Sequence, residues 1–295
     1  MPFIEELKNI FKNKGNGLMK IIIINIALFI VVNIVSAFTR FSGSDSSFIN
    51  TWLALPSDFT TFITHPWTLL SYIFLHLDLM HILFNMLWLY WIGKIFIEYL
   101  GSERLVSTYL LGGIFGGVLF IIVSNLFPSF YSNSYLLGVS AGVMAIVIGT
   151  AALVPEYVIH LMFFGPVKLK YLALVSFLIT TILDFSVNTG GKIAHIGGAL
   201  YGLIYISQYK KGRDISKNFN ALIFWISSLF KNAKKSKMKV AYKRKLSDEQ
   251  FNQNKIERQK KMDEILDKIS KSGYESLSKQ EKEILFEISS YKSHK

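Results

Sequence analysis

The feature that most constrains this chain is a long gap in its charge distribution. No Asp, Glu, Lys or Arg occurs between Arg104 and Glu156, and residues 20–210 as a whole hold few ionisable groups, whereas residues 211–295 hold most of the lysines. A membrane-spanning helix needs about 20 consecutive, mostly apolar residues, so the gap alone can hold two such helices. The mean hydropathy of the chain is +0.37. The sequence therefore predicts an integral membrane protein rather than a soluble one.

Six apolar segments are long enough to be candidate membrane spans, which predicts an all-α, polytopic six-helix bundle. Val35-Ser36-Ala37, near the end of the first span, resembles a signal-peptide cleavage site. The segment before this span is long and its apolar run exceeds a typical signal core, so we expect the span to be retained. The candidate spans are Leu18–Thr39, Leu79–Ile97, Leu105–Phe127, Tyr135–Val154, Lys170–Val187 and Ile193–Tyr209.

The basic residues predict how the bundle is oriented. They concentrate before the first span, in the 2–3 and 4–5 connections and in the C-terminal tail, whereas the opposite connections hold little beyond Arg40 and Lys192. Because cytoplasmic flanks are enriched in Lys and Arg, we expect both termini to be cytoplasmic, in a plasma or inner membrane. The loop between the first two spans is unusually apolar, so we expect it to lie in the membrane interface.

The tail predicts contact with lipid and a small helical unit. An apolar segment after Lys217 precedes eight basic residues between Lys231 and Lys245, a pattern that favours an anionic membrane surface over nucleic acid. Beyond it, helical spacing and a capping-box pattern at Ser278 and Glu281 predict a helical hairpin. The predicted divisions are a cytoplasmic N-terminal segment (1–17), the membrane domain (18–211), a juxtamembrane segment (212–245) and the hairpin (246–295).

Four polar side chains interrupt the apolar spans near one predicted depth. His81 and Asn85 share a face of the second span, Ser140 lies in the fourth and His195 in the sixth. A helix rises about 1.5 Å per residue, so all four are expected roughly 5–10 Å below the outer surface. Polar groups are costly in a membrane and usually converge on an interior site or a wet cavity.

Small residues near these side chains predict close helix packing. Gly198 and Gly202 follow His195 on one helix face, while Gly138 and Gly142 flank the serine. Such spacing permits close approach of two backbones. Contact between the fourth and sixth spans would bring Ser140 to His195, as a nucleophile is brought to its general base. Each residue alone also has an ordinary structural explanation, such as a hydroxyl bonded within its own helix.

The stretch Gly138-Val-Ser140-Ala-Gly142 also matches the G-x-S-x-G of an α/β-hydrolase. That motif requires a strand before the serine and a helix after it, whereas both flanks here are predicted to be parts of membrane spans. Asp184 lies between the serine and the histidine in chain order, and its predicted position near the outer end of the fifth span does not favour a triad. The α/β-hydrolase interpretation is therefore disfavoured.

These motifs, taken in order, resemble those of rhomboid intramembrane serine proteases over about residues 50–210. The family's H-x-x-x-N, G-x-S and A-H-x-x-G patterns are matched by His81 to Asn85, Gly138 to Ser140, and Ala194 to Gly198. Smaller matches are Pro66-Trp67, Phe74-Leu-His76 and Glu98 followed by Gly101.

The resemblance implies a Ser–His dyad in which Ser140 is the nucleophile and His195 the base. It further implies an oxyanion hole formed by the Ser140 backbone N–H with the side chains of His81 and Asn85, and it implies no metal or organic cofactor. The expected partners are transmembrane protein substrates and the lipid bilayer, without nucleic acid. Three positions depart from the frequent family pattern and leave specificity and rate open: Thr68, Ala141 and Met144.

Two alternatives remain beside a protease. A catalytically inactive rhomboid-like protein could bind membrane helices, although such a role would need neither Ser140 nor His195. A small-solute transporter is disfavoured because inverted repeats and intramembrane carboxylates are not evident in the sequence.

Overall fold

The computed structural model describes residues 2–42, 47–76, 78–131, 134–162, 165–182, 189–229 and 248–291. The chain divides into two compact units, Met1–Asn232 and Ala233–Lys295. The helices are α1 (Pro2–Lys12), α2 (Gly17–Phe41), α3 (Ser47–Leu53), α4 (Phe59–Thr64), α5 (Thr68–Ser71), α6 (Leu79–Leu100), α7 (Ser102–Leu126), α8 (Pro128–Tyr131), α9 (Ser140–Leu153), α10 (Leu169–Thr181), α11 (Thr189–Lys210), α12 (Lys217–Leu229), α13 (Asp248–Ser272) and α14 (Lys279–Tyr291).

In the part of the chain that the structure describes, two short antiparallel ladders accompany the helices. Strand β1 (Leu55–Pro56) pairs with β2 (Tyr135–Leu136), and β3 (Val158–Leu161) pairs with β4 (Gly165–Lys168). The protein is thus an all-α membrane protein with small β-ladders in its connections.

Among the described residues, three helices are long and apolar enough to cross a membrane, and they confirm the first three predicted spans. They lie at Gly17–Thr39 within α2, at Leu79–Leu100 and at Ser102–Leu126. Helices α9 and α10 are apolar but shorter, with 14 and 13 residues. Helix α11 begins at Thr189, before the predicted start of the sixth span, and the predicted end of the fifth span at Val187 lies outside the described residues.

The predicted start of the fourth span is wrong, because α9 begins at Ser140 and not at Tyr135. Tyr135 and its neighbour are extended and form the β2 side of a ladder with β1. Gly138 has a φ of +131°, which is incompatible with a helix, and its N–H donates to the Tyr72 carbonyl oxygen at 3.0 Å. Because these backbone groups are hydrogen-bonded to other loops, they are not available for hydrogen bonds within a helix.

Local sequence explains both ends of α6. The side chain of Asp78 accepts a hydrogen bond from the His81 backbone N–H at 2.7 Å, which caps the first turn. At the other end Gly101 has a φ of +84°, a conformation that glycine adopts without strain and that stops the helix before α7 begins. Helix α7 begins directly after this glycine, at Ser102.

Helix α9 lies at the centre of the first unit. Ten of its 14 residues are buried, including Val143, Ile146 and Val147, and none is exposed, as expected for a helix that is apolar on every side and surrounded by other helices. In contrast, α2 exposes a broad apolar face that includes Ile30, Ile34 and Phe38. An exposed apolar face of this kind is suited to contact with lipid.

The second unit has the predicted capping box at the start of α14. The Ser278 N–H donates to the Glu281 carboxylate at 2.7 Å, and the Glu281 N–H donates to the Ser278 hydroxyl at 3.3 Å. Lys268 on α13 pairs with Glu281 at 2.8 Å, while Ile265 and Leu277 are buried between the helices. These contacts confirm the capping pattern and form a small core.

Candidate active site

Glycines bring α9 and α11 into direct backbone contact. A Cβ atom at Gly198 would overlap the carbonyl oxygen of Ala141, and one at Gly202 would overlap that of Ala145. Contact positions increase along both helices together, so α9 and α11 run parallel. Backbones at this distance leave no room for a side chain between them, and the relative position of the two helices is therefore closely set.

Helix α7 also packs closely against both α9 and α11. A Cβ atom at Gly116 would lie 2.7 Å from both the Ala141 Cβ and the Ala194 carbonyl oxygen, and one at Gly197 would lie 2.7 Å from the Gly116 Cα. We define the glycine junction as this meeting of α7, α9 and α11 around Gly116, Ala141, Ala194 and Gly198. The methyl of Ala141 therefore packs toward α7.

Ser140 and His195 are each attached to the glycine junction. Ser140 immediately precedes Ala141, and His195 immediately follows Ala194. Because the helices are parallel, both residues lie at the N-terminal end of the α9–α11 contact. Both side chains are half-buried.

The position of Ser140 at the start of α9 has chemical consequences that the predicted longer helix did not have. The first backbone N–H groups of a helix lack intrahelical acceptors, and the helix dipole makes this end favourable for negative charge. The first α9 N–H found in a backbone hydrogen bond is that of Val143, which donates to Val139 at 3.1 Å. The Ser140 N–H comes before that of Val143 and is therefore one of the first N–H groups of α9, which lack an intrahelical acceptor.

Gly138 separates Ser140 from His81. A Cβ atom at Gly138 would lie 3.7 Å from the Ser140 Oγ and 3.8 Å from the Nε2 of His81. Gly138 was predicted to pack between helices, but it lies in a loop instead. There it leaves a space between the Ser140 hydroxyl and the His81 imidazole. Gly142, also predicted to pack at the site, faces α7 instead, since a Cβ there would lie 2.6 Å from the Tyr109 carbonyl oxygen.

His81 and Asn85 lie together on α6, and both are half-buried. The Asn85 Nδ2 donates to the His81 carbonyl oxygen at 2.8 Å, which uses one of its two hydrogens. The His81 ring also meets that of His76 edge to face, with 5.5 Å between centroids. Burial, aided by the nearby His81, lowers the pKa of His76 to about 4, so His76 is neutral near pH 7.

The first loop supports the loop that carries the serine. Besides the β1–β2 ladder, the Ser57 N–H donates to the Ser134 carbonyl oxygen at 2.9 Å, and the Asn125 Nδ2 donates to the Ser57 carbonyl oxygen at 2.9 Å. Thr68, one of the departures from the family pattern, is buried and donates to the His65 carbonyl oxygen at 2.6 Å. Its hydroxyl is therefore satisfied within this loop.

Sequence reasoning missed two contributors to the site. The α7 glycines belong to a visible double pair, Gly112-Gly113-x-x-Gly116-Gly117, whose spacing was a usable signal for close packing. The second contributor is Thr181 at the end of α10, whose Oγ1 lies 3.5 Å from the Nδ1 of His195. No sequence spacing connects these two residues.

Comparisons with known proteins agree with this architecture. A model of the Rhomboid domain matches residues 64–211, half of the chain, and a family of unknown function (DUF6576) matches residues 247–291. The chain belongs to the rhomboid family.

Three curated relatives illustrate the degree of similarity. "RHOMBOID-like protein 12, mitochondrial" of Arabidopsis thaliana is 31% identical over 159 residues, which cover 50% of this chain and 47% of the relative. "Rhomboid protease GlpG" of Pectobacterium atrosepticum is 27% identical over 198 residues, covering 67% and 64%. The protein of the same name from Klebsiella pneumoniae is 33% identical over 116 residues, covering 39% and 37%. The chain thus spans less than two thirds of the length of each of these relatives.

Proposed function

We propose that this protein is an intramembrane serine endopeptidase that hydrolyses peptide bonds in or near transmembrane segments of membrane proteins. The observation that carries the proposal is the glycine junction, which attaches Ser140 and His195 to the same end of two parallel helices in backbone contact. Membership of the rhomboid family and similarity to relatives named rhomboid proteases support the same reaction class.

In the proposed reaction, the Ser140 hydroxyl oxygen attacks the peptide carbonyl carbon while its proton passes to His195. The imidazolium then gives this proton to the departing amine as the peptide bond breaks, leaving an acyl-enzyme. Water, deprotonated by His195, attacks the ester and releases the second product.

The developing oxyanion is stabilised by donors around the Gly138 space. The Ser140 backbone N–H at the α9 N-terminus, the His81 side chain and the second amide hydrogen of Asn85 are the proposed donors. Each donor aimed at the oxyanion in a site of low dielectric contributes about 3 kcal/mol to the transition state.

The proposed topology has six spans in a plasma or inner membrane, with both termini in the cytoplasm. The parallel course of α9 and α11 supports it, because the fourth and sixth spans must then enter from one side. The β1–β2 ladder supports it as well, because it joins the 1–2 and 3–4 connections, which this topology puts on the same side. Segments 1–17, 18–211, 212–245 and 246–295 keep the divisions predicted from sequence.

Helix α12 supports the proposed contact with anionic lipid on the cytoplasmic side. It exposes Leu222, Phe224 and Trp225, and Lys217 at its start is also exposed. Apolar side chains near basic ones favour an interfacial position on an anionic leaflet.

Fluorophosphonate labelling tests the dyad. We expect the parent protein to be labelled and Ser140→Ala and His195→Ala to lose labelling, while Ser124→Ala, which removes a buried hydroxyl from α7, retains it. Equal labelling of the parent and Ser140→Ala, or none of the parent, would contradict the protease and favour a rhomboid-like protein that binds membrane helices without cleaving them.

A further inference from the structure

Helix α10 brings a hydroxyl group close to the proposed base. Thr181 is the last residue of this helix and is 5% exposed, and its Oγ1 lies 3.5 Å from the Nδ1 of His195. Most of the remaining α10 surface is apolar and exposed, including Leu174, Val175 and Ile179. Thr181 therefore belongs to the narrow buried face of this helix, which also holds Ser176.

The chemistry of the dyad determines which role this hydroxyl can take. A neutral imidazole carries one hydrogen, and the nitrogen without it is the acceptor. If the Nε2 of His195 is to take the Ser140 proton, the hydrogen must reside on Nδ1. A hydroxyl oxygen can accept a hydrogen bond from this Nδ1–H, which favours the reactive tautomer and fixes the plane of the ring.

We propose that Thr181 is a positioning residue that accepts a hydrogen bond from the Nδ1–H of His195 and holds it as the base for Ser140. The inference rests on the proposed protease function. The hydroxyl takes the place that a carboxylate occupies in a Ser-His-Asp triad, without its charge. When the imidazolium forms during proton transfer, Nδ1–H becomes a stronger donor, so the contact strengthens in the transition state.

Three variants separate this role from packing. Thr181→Val preserves the shape of the side chain but removes the hydroxyl, and Thr181→Ser keeps the hydroxyl. Thr180→Val is the matched control, because the Thr180 hydroxyl donates within α10 to the Ser176 carbonyl oxygen at 2.9 Å. Cleavage of a single-span reporter substrate in liposomes supplies kcat and KM, and fluorophosphonate labelling supplies the rate of serine activation.

We expect Thr181→Val to lower kcat and the labelling rate about tenfold with KM within twofold, the scale of one hydrogen bond. Thr181→Ser should restore most of the rate, and Thr180→Val should match the parent. A Thr181→Val enzyme with parental kcat, or a Thr181→Ser enzyme as slow as the valine variant, would overturn the role. If the valine variant fails to fold, Thr181→Ala against Thr181→Ser makes the same comparison.

The outcome for Thr181 is distinguishable from that for the protease itself. Labelling of the parent that Ser140→Ala abolishes, together with full activity of Thr181→Val, removes only the positioning role. A parent that is neither labelled nor active removes both proposals.

Discussion

Two of the helices that pack against α11, namely α9 and α10, do so in contrasting ways. Helix α9 meets α11 through bare backbone at Gly198 and Gly202, so a single added methyl has no space. Helix α10 buries only a narrow strip, with Ala173, Ser176 and Thr181 facing inward along most of its length, and leaves its outer face apolar and exposed. The comparison indicates that the proposed nucleophile and base share a rigid pair of helices, while the hydroxyl beside the base comes from a less enclosed helix.

The largest effect should come from placing a methyl group in the α9–α11 contact. Gly198→Ala would drive a Cβ into the Ala141 carbonyl, so we expect a loss of about 2 kcal/mol or more in unfolding free energy and loss of activity. Gly149→Ala is the matched control on α9, because its Cβ would make only ordinary contacts, the nearest at 3.5 Å. Thermal unfolding and reporter cleavage measure both; a stable, active Gly198→Ala protein would refute the rigid pair.

The next effect concerns the loop that enters α9. Gly138→Ala imposes a side chain at a φ of +131° and adds a methyl beside Ser140, so we expect about a hundredfold loss of kcat and a cost of about 1–3 kcal/mol in stability. Gly165→Ala is the control, because it imposes a side chain at a φ of +69° with open space around it. It therefore reports the effect of backbone strain at a position away from Ser140. Similar activity losses in the two variants would show that the space beside Ser140 has no special importance.

A smaller effect should distinguish the two faces of α10. Val175→Ala removes apolar atoms from an exposed position and should change stability by less than about 0.5 kcal/mol. Ala173→Val adds atoms on the buried face and should cost about 1–3 kcal/mol. Equal stability changes measured by thermal unfolding in detergent would mean that α10 is enclosed as fully as α9.

The smallest effect is a pH dependence at the connection between α9 and α10. Hydrogen bonds and attraction from Lys168 and Lys170 lower the pKa of Glu156 to about 2. Since the folded pKa lies below the ordinary value of 4.5, the contribution of these ion pairs is complete above about pH 4.5 and is lost as the pH falls toward 2. The difference in unfolding temperature between the parent and Glu156→Gln should shrink across this window, and a difference that stays constant would argue against the ion pairs.

Part of the architecture was predictable because the membrane restricts what an apolar chain can do. The charge gap after Arg104 indicated the class of protein, and the first three spans were located closely from hydropathy. The spacing of His195, Gly198 and Gly202 indicated a close helix contact, and the structure has both glycines against α9. Helical periodicity suffices for such predictions because it depends only on neighbours in sequence.

The rest depended on contacts between distant segments. Hydropathy could not distinguish the extended residues near Tyr135 from the helix that follows, because their pairing partner is β1 in another loop. Gly142 has the same chemistry as Gly198, yet it faces α7, which only the rotation of α9 among its neighbours determines.

The sequence by itself determined that this chain is a membrane protein. It also determined that serine, histidine and glycine occur in segments where apolar residues would be less costly. Tertiary structure alone decided that α9 begins at Ser140, that α7 closes the glycine junction, and that Thr181 faces His195. The physical reason is that insertion into a membrane responds to composition summed along a segment, whereas a catalytic arrangement depends on distances between side chains from segments that packing brings together.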